Sequence, residues 1–293
     1  ALGRAGLHAL VRYDSVAPPL DGEQRLFEAL AVMLQDERSC FERLAEDREQ
    51  RRLERHRAAH SRVAELLIDV AACRQLVPED PAALARATEA LQQAVRTREQ
   101  DCVQALLTLY AFRPDDALPE ALPLLDGRWE HDLFAPETLR RFGVQVGGGA
   151  AAGAAAGAGL DLMVGGLSLG AATVLGALAG GGWQTLRHYG ERLRARMEGQ
   201  RELTVDDRIL DLLARRQCAL VAALEARGHA ATEPIRTLDG GTPPWPPARL
   251  PAPLREARAH PGWSSLGPAP WQDEPARRLQ VSRLADELAA AGP

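Results

Sequence analysis

From Gly143 to Gly182 the chain carries a single charged residue, Asp161, and is otherwise dominated by Gly, Ala, Leu and Val. Arginines crowd both flanks: Arg140 and Arg141 before it, Arg187, Arg192, Arg194 and Arg196 after it. Asp161 divides the run into two apolar segments of about 18 to 20 residues, which as helices at about 1.5 Å per residue nearly match a bilayer's hydrocarbon thickness. Gly149, Gly153 and Gly157 recur every four residues, as do Gly166 with Gly170 and Gly176 with Gly180. That spacing lines one helix face with hydrogen atoms instead of side chains, so two backbones can approach closely and gain dispersion and weak Cα–H contacts. Glycine costs about 1 kcal/mol relative to Ala in an isolated helix. A hairpin so rich in it therefore needs a tight partner or lipid around it. Two environments satisfy that need. In a membrane, Arg140, Arg141, Trp183 and Arg187 would anchor the hairpin at the interface with both ends in the cytoplasm; in a soluble protein, the same hairpin would be a buried core.

Outside this stretch the pattern is helical almost throughout, so the expected fold is mainly α. Leu26, Leu30 and Met33 form one stripe, and Phe41, Leu44, Leu53, His56, His60, Val63, Leu67 and Val70 recur at threes and fours. Between Asp36 and Arg62 acids and arginines alternate so densely that the helix should project into solvent or form a loose coiled coil. Pro78 and Pro81 predict its end, and Leu84, Leu91, Val95, Cys102, Leu106 and Tyr110 mark a second helix to about Phe112. The short connection predicts antiparallel packing, with Val63, Leu67 and Val70 facing Leu84, Leu91 and Val95. Residues 114–135 read as an irregular strap leading to a short helix from about Pro136. Thr204-Val-Asp-Asp207 reads as a capped helix start that continues to Gly228. The Pro-rich tail after Pro234 carries Trp245, Trp263 and Trp271, which predict that it wraps the helical body, and a last helix is expected over 274–290. Residues 8–13 read as the one convincing strand. A lone strand must pair with a sheet, so it suggests the remnant of an α/β domain lying upstream. The resulting division is 1–20, the tail of that domain; 21–140, long helices; 141–200, the hairpin; 201–232, a helix; and 233–293, the tail.

Composition removes whole classes of chemistry. All 35 basic residues are Arg, because the chain contains no Lys, and it contains no Asn either. A P-loop lysine, a Schiff-base lysine, an N-glycosylation site and the Asn-Lys-x-Asp guanine reader are all excluded. The bias toward Arg, Ala, Gly and Pro suggests a GC-rich bacterial source. A net charge of −5, with both signs dispersed, argues against a nucleic-acid partner. The four cysteines, Cys40, Cys73, Cys102 and Cys218, show no metal-binding spacing and read as small buried apolar residues. No secretory leader is visible, which predicts a cytoplasmic protein, peripheral or hairpin-inserted at the inner membrane.

No catalytic, cofactor or metal site is expected. His56 and His60 lie one turn apart but among arginines and without a HExxH glutamate. Gly147-Gly-Gly149 lacks the lysine of a phosphate loop, and Asp206 and Asp207 are explained as acids at a helix start. Nothing has the arrangement of a nucleophile with its base.

Several stretches carry a family likeness: Ala5-Gly-Leu-His-Ala-Leu-Val-Arg-Tyr-Asp14, Arg140-Arg-Phe-Gly143, Gly157-Ala-Gly-Leu-Asp-Leu162, Gly165-Gly-Leu-Ser-Leu-Gly-Ala-Ala172, Glu202-Leu-Thr-Val-Asp-Asp207 and Arg227-Gly-His-Ala230. Together they resemble the C-terminal domain of unknown function that follows an Era/TrmE-like G domain in certain bacterial GTPases. The resemblance implies that the nucleotide motifs, GTP and magnesium belong to an upstream domain, and that no catalytic residue falls here. It further implies a helical module coupled to that domain, with membrane lipid or a membrane protein as partner; the alternative is a soluble scaffold.

The hairpin yields an expectation with opposite signs under two accounts. Replacing Gly153 or Gly170 with Leu raises helix propensity and hydrophobicity, yet in a backbone-to-backbone seam it must push the arms several ångströms apart. We expect Gly153→Leu and Gly170→Leu to lower thermal stability or liposome flotation, while Leu at neighbouring alanines is tolerated.

Overall fold

The computed structural model describes residues 22–112, 124–125, 128–129, 131–135, 137–138, 160–163, 200–225, 244–245, 249–268 and 270–291. The N-terminal strand within 1–20, the hairpin glycines Gly149, Gly153, Gly157, Gly166, Gly170, Gly176 and Gly180, and the anchors Arg140, Arg141, Trp183 and Arg187 lie outside them. Among the described residues the architecture is mainly α, with six α-helices and two small antiparallel sheets.

Helix α1 (Gly22–Met33) and helix α2 (Arg38–Ala72) form a hairpin around Leu34 and a 3-10 turn at Gln35–Glu37. The sequence there holds neither Pro nor Gly; three polar residues, Gln-Asp-Glu, mark the turn, and α1 folds back onto α2. The periodicity predicts a helix of about 35 to 40 residues, which α2 matches in length, but it carries no signal for the reversal that sets α1 apart. The 35-residue α2 is divided sharply by burial. Nothing from Arg38 to Ala58 is buried, so this half and α1 project as an arm; from Ala59 to Ala72 nearly every residue is enclosed.

Helix α2 stops at Ala72, short of Pro78, because Cys73 turns extended (φ −62°, ψ 125°) and strand β1 (Arg74–Pro78) begins. Helix α3 (Pro81–Leu109) follows, with Pro81 in its first turn and the Asp80 carboxylate accepting the Ala83 N–H at 2.7 Å. It packs antiparallel on α2. The register is read from two contacts: Arg98 reaches Asp69 at 2.7 Å, and the Cys102 thiol points to the Arg62 carbonyl at 3.7 Å. Val70 therefore lies level with Val95 and Val63 with Cys102, while Leu84 falls beyond the end of α2 instead of in the expected seam.

The expectation of a single strand also needs correction. β1, β5 (Gln200–Val205) and β4 (Leu160–Met163) form an antiparallel sheet in the order β1-β5-β4. Leu203 pairs with Gln75 on one side and Leu162 on the other. Thr204 thus sits in a strand opposite Arg74, and the helix that follows, α4 (Asp207–Glu225), is capped by Asp206, whose carboxylate accepts the Arg208 N–H at 2.7 Å. Asp161, expected to separate two helical arms, lies in β4. Within the strap, β2 (Leu124–Leu125) and β3 (Arg128–Trp129) pair antiparallel.

The tail wraps this body. Helix α5 (Ala252–Arg258), a 3-10 turn at Pro261–Trp263 and helix α6 (Pro275–Ala291) all pack on α2. Trp263 is buried among them, its indole N–H donating to Glu274 at 3.1 Å, and Arg277 Nε donates to the Trp263 carbonyl at 3.1 Å. Arg74 reaches the Arg258 carbonyl at 2.8 Å, and Arg258 in turn donates to the Val205 carbonyl at 2.7 Å and pairs with Asp207. The strongest tie is Asp69, buried in α2. It accepts Arg98 Nε at 2.7 Å, the Ser265 N–H at 2.6 Å and the Ser265 hydroxyl at 2.9 Å.

Removing that carboxylate strands a partly enclosed guanidinium and frees the tail at once. Asp69→Ala should destabilise the chain by about 3 kcal/mol in urea unfolding. Arg38→Ala, which removes only an exposed pair with Glu42, should stay within about 0.5 kcal/mol.

Candidate functional site

Three clusters of ionisable side chains surround the buried half of α2. In the first, Glu225 ends α4, where the helix dipole disfavours a carboxylate. His56 Nδ1 lies 2.7 Å from Glu225 Oε1, and the Tyr110 hydroxyl donates to the same oxygen at 2.8 Å. His60 stands one turn along α2, ring centroid 4.4 Å from that of His56, and its Nδ1 donates to the His56 carbonyl at 3.0 Å. Arg55 covers the Tyr110 ring at 5.7 Å. Burial lowers the His60 pKa, and the same effect, reinforced by Glu225, raises that of Tyr110. The two histidines thus pack in the seam of three helices, and no group of three metal-binding side chains exists among the described residues.

The second cluster centres on Glu99 of α3. Arg216 and Gln217 of α4 each approach its Oε1 at 3.4 Å. Arg216 also donates to the His131 carbonyl at 2.8 Å and lies over the Trp129 ring at 5.3 Å. Beside it Arg96 holds Asp132 through two bonds of 2.7 and 2.8 Å and covers Phe134 at 5.1 Å. Two guanidiniums therefore fasten Trp129, His131, Asp132 and Phe134 onto α3 and α4 by charge and by ring contact. Burial pushes the Glu99 carboxyl up despite the facing Arg216. The third cluster is the Asp69 tie, next to which burial raises the Cys73 thiol to about 11. Cys102 and Cys218 are raised by burial to about 12, so neither is a thiolate near neutral pH. Cys40, expected to be buried like the others, is exposed on the arm.

Sequence reasoning had missed Asp69, Glu99 and Glu225, although the first two carried a signal. Asp69 interrupts Leu66-Leu67-Ile68 and Val70, and Glu99 sits on the same helical stripe as Leu91, Val95 and Cys102. An acid on an apolar stripe announces a buried partner. All three clusters join elements distant in sequence.

Among the described residues most of the exposed large apolar side chains lie on the arm, with Leu76, Trp271 and Leu279 exposed elsewhere. Val32 is 73% exposed, Met33 51% and Leu44 37%, with Leu34 and Leu53 also exposed. Large apolar side chains clustered at one end of a projecting hairpin mark a contact surface more often than a solvated one. No described helix is long and apolar enough to cross a membrane.

The described residues thus form a helical body stapled by buried ion pairs, with a densely charged arm on which a few apolar side chains are exposed. The sequence model of one family, a domain of unknown function designated DUF3482, matches residues 1–286, and the chain belongs to that family. No curated protein and no solved structure matches it.

The lowered His60 pKa makes folding stability depend on pH. Between that lowered value and the unfolded value of about 6.5, the unfolded chain binds more protons, so stability is lost as pH falls through this window. Glu99, with a raised pKa, has the opposite sign. The difference between parent and His60→Gln in urea unfolding from pH 7 to 5 therefore isolates the histidine, and the variant should show the shallower loss.

Proposed function

We propose that this chain is the helical C-terminal region of a bacterial GTP-binding protein, and that it engages a protein partner under the control of an upstream GTPase domain. The observation that carries the partner-binding half of this reading is the α1–α2 arm: half of a long helix and its hairpin mate extend from the core with Val32, Met33, Leu34 and Leu44 exposed. The coupling to GTP rests on the resemblance to the domain that follows Era/TrmE-like G domains, in which GTP and magnesium are held upstream. In such a protein the nucleotide state would move the rigid body built on α2, and the arm would move with it. The chain acts at the cytoplasmic side, with no catalytic role of its own.

Arg140, Arg141, Trp183 and Arg187 around the Gly/Ala hairpin support a second reading, a peripheral or hairpin-inserted contact with the inner membrane. Flotation of the intact chain with liposomes separates this from a soluble scaffold.

The pure chain should neither bind nor turn over GTP, since it has no lysine to reach the phosphates and no asparagine to read guanine. The natural protein, with its upstream region joined, should do both. Turnover by the chain alone, or an upstream reading frame without a GxxxxGKS motif, overturns the assignment.

A further inference from the structure

We propose that the arm pairs antiparallel with the arm of a second copy of this chain; the inference rests on the reading of the arm as the contact surface and names its occupant. Glu37, which closes the 3-10 turn, and Cys40, Leu44, Arg48, Arg51 and Arg55 in the exposed part of α2 make one stripe at helical spacing that runs from acidic through apolar to basic. Leu26, Leu30 and Met33 make the corresponding stripe on α1, with Met33 exposed and the two leucines only half-buried. A hairpin whose single buried residue is Ala31 in α1 lacks the enclosure that two packed helices normally reach when a third or fourth helix covers them.

The charge order selects the cover. Glu37, Leu44 and Arg51 recur every seven residues, so a two-fold axis at Leu44 sets the leucines of two copies against each other and places each Glu37 level with the Arg51 of the other copy. The wider arm follows the same gradient. Asp36, Glu37, Glu42, Glu46, Asp47 and Glu49 outnumber Arg38, Arg43 and Arg48 in its outer part, whereas Arg51, Arg52, Arg55 and Arg57 outnumber Glu54 nearer the body. About that axis antiparallel pairing apposes opposite signs at both ends of the overlap, Glu37 with Arg51 and Asp36 with Arg52, while Glu42 faces Glu46 near the centre; parallel pairing apposes like signs throughout. The bonds that these side chains now make, Arg51 to Asp47 and Arg52 to Glu49, are exposed and local to the helix, so they yield at little cost. The overlap of the two α2 helices about Leu44, residues 38–50, is about 20 Å long at 1.5 Å per residue, which suits a weak, reversible interface at the lower end of specific contacts.

The test is sedimentation of the full chain over a concentration series in reducing buffer, at low and high salt. The expected result is a monomer–dimer equilibrium that high salt weakens. Glu37→Arg and Arg51→Glu, each alone, should weaken self-association about tenfold or more, and Leu44→Glu should abolish it. All three sites are exposed, so circular dichroism should be unchanged. An equimolar mixture of Glu37→Arg and Arg51→Glu should regain the dimer, because both contacts are again attractive. A monomer at every concentration overturns the proposal, as does a dimer indifferent to these substitutions, or a mixture that fails to recover. Loss of liposome flotation or of binding to another protein in Leu44→Glu, with self-association unchanged, also overturns it by assigning the arm another occupant. None of these outcomes touches the GTP assignment, which stands or falls on the turnover measurement.

Discussion

The buried Asp69 carboxylate holds three parts of the chain at one point. A charge placed in the interior must be compensated completely or it unfolds its surroundings, and here the compensation comes from α3 through Arg98 and from the tail through Ser265. The backbone of α2 is thereby fixed in register against α3, and the turn at Ser264–Leu266 is fixed against the end of α2. Gln75, two residues beyond α2, reaches the Leu266 carbonyl at 3.4 Å. The burial of Trp263 and the stacking of His260 on it at 4.3 Å follow from where that turn is held.

The other two clusters repeat the device elsewhere, one between α3 and α4 and one between α2 and the end of α4. Glu99 with Arg216, and Glu225 with His56 and Tyr110, each place one carboxylate between helices and satisfy it with donors from another. Apolar packing supplies the bulk of the driving force, but leucine and alanine seams tolerate sliding by a turn. Buried charges with single geometrically acceptable partners do not. In this protein, we take specificity of register to be their main contribution.

Helical content was legible from periodicity because Val63, Leu67, Leu91 and Val95 stand at regular spacing, and the Pro81 and tail-helix boundaries lay close to where local chemistry put them. The strands were not. Arg74-Gln-Leu-Val-Pro78 has no clean alternation, and Glu202-Leu-Thr-Val205 adjoins a run of acids that imitates a helix start; each becomes a strand only because the other is brought beside it. That is a tertiary effect no local window contains. The reversal at Leu34 was hidden for the same reason, since Gln, Asp and Glu are acceptable in a helix. As for the candidate site, the exposed arm was visible in the charge pattern of residues 36–62, whereas Glu225, at the end of a helix 169 residues from His56 along the chain, could be found only in three dimensions.

The packing of α6 and α5 on α2 has a consequence for synthesis. The buried half of α2 is complete by residue 72, yet two of the helices that pack on it span 252–291, so the face of α2 they cover must wait for most of the chain to be translated. At elongation speeds of about 5 to 20 residues per second, this exposes a hydrophobic surface for roughly ten seconds or more. Nascent chains of this protein are therefore natural clients for ribosome-associated chaperones, and products released before residue 250 should be recognised by proteases as unfinished.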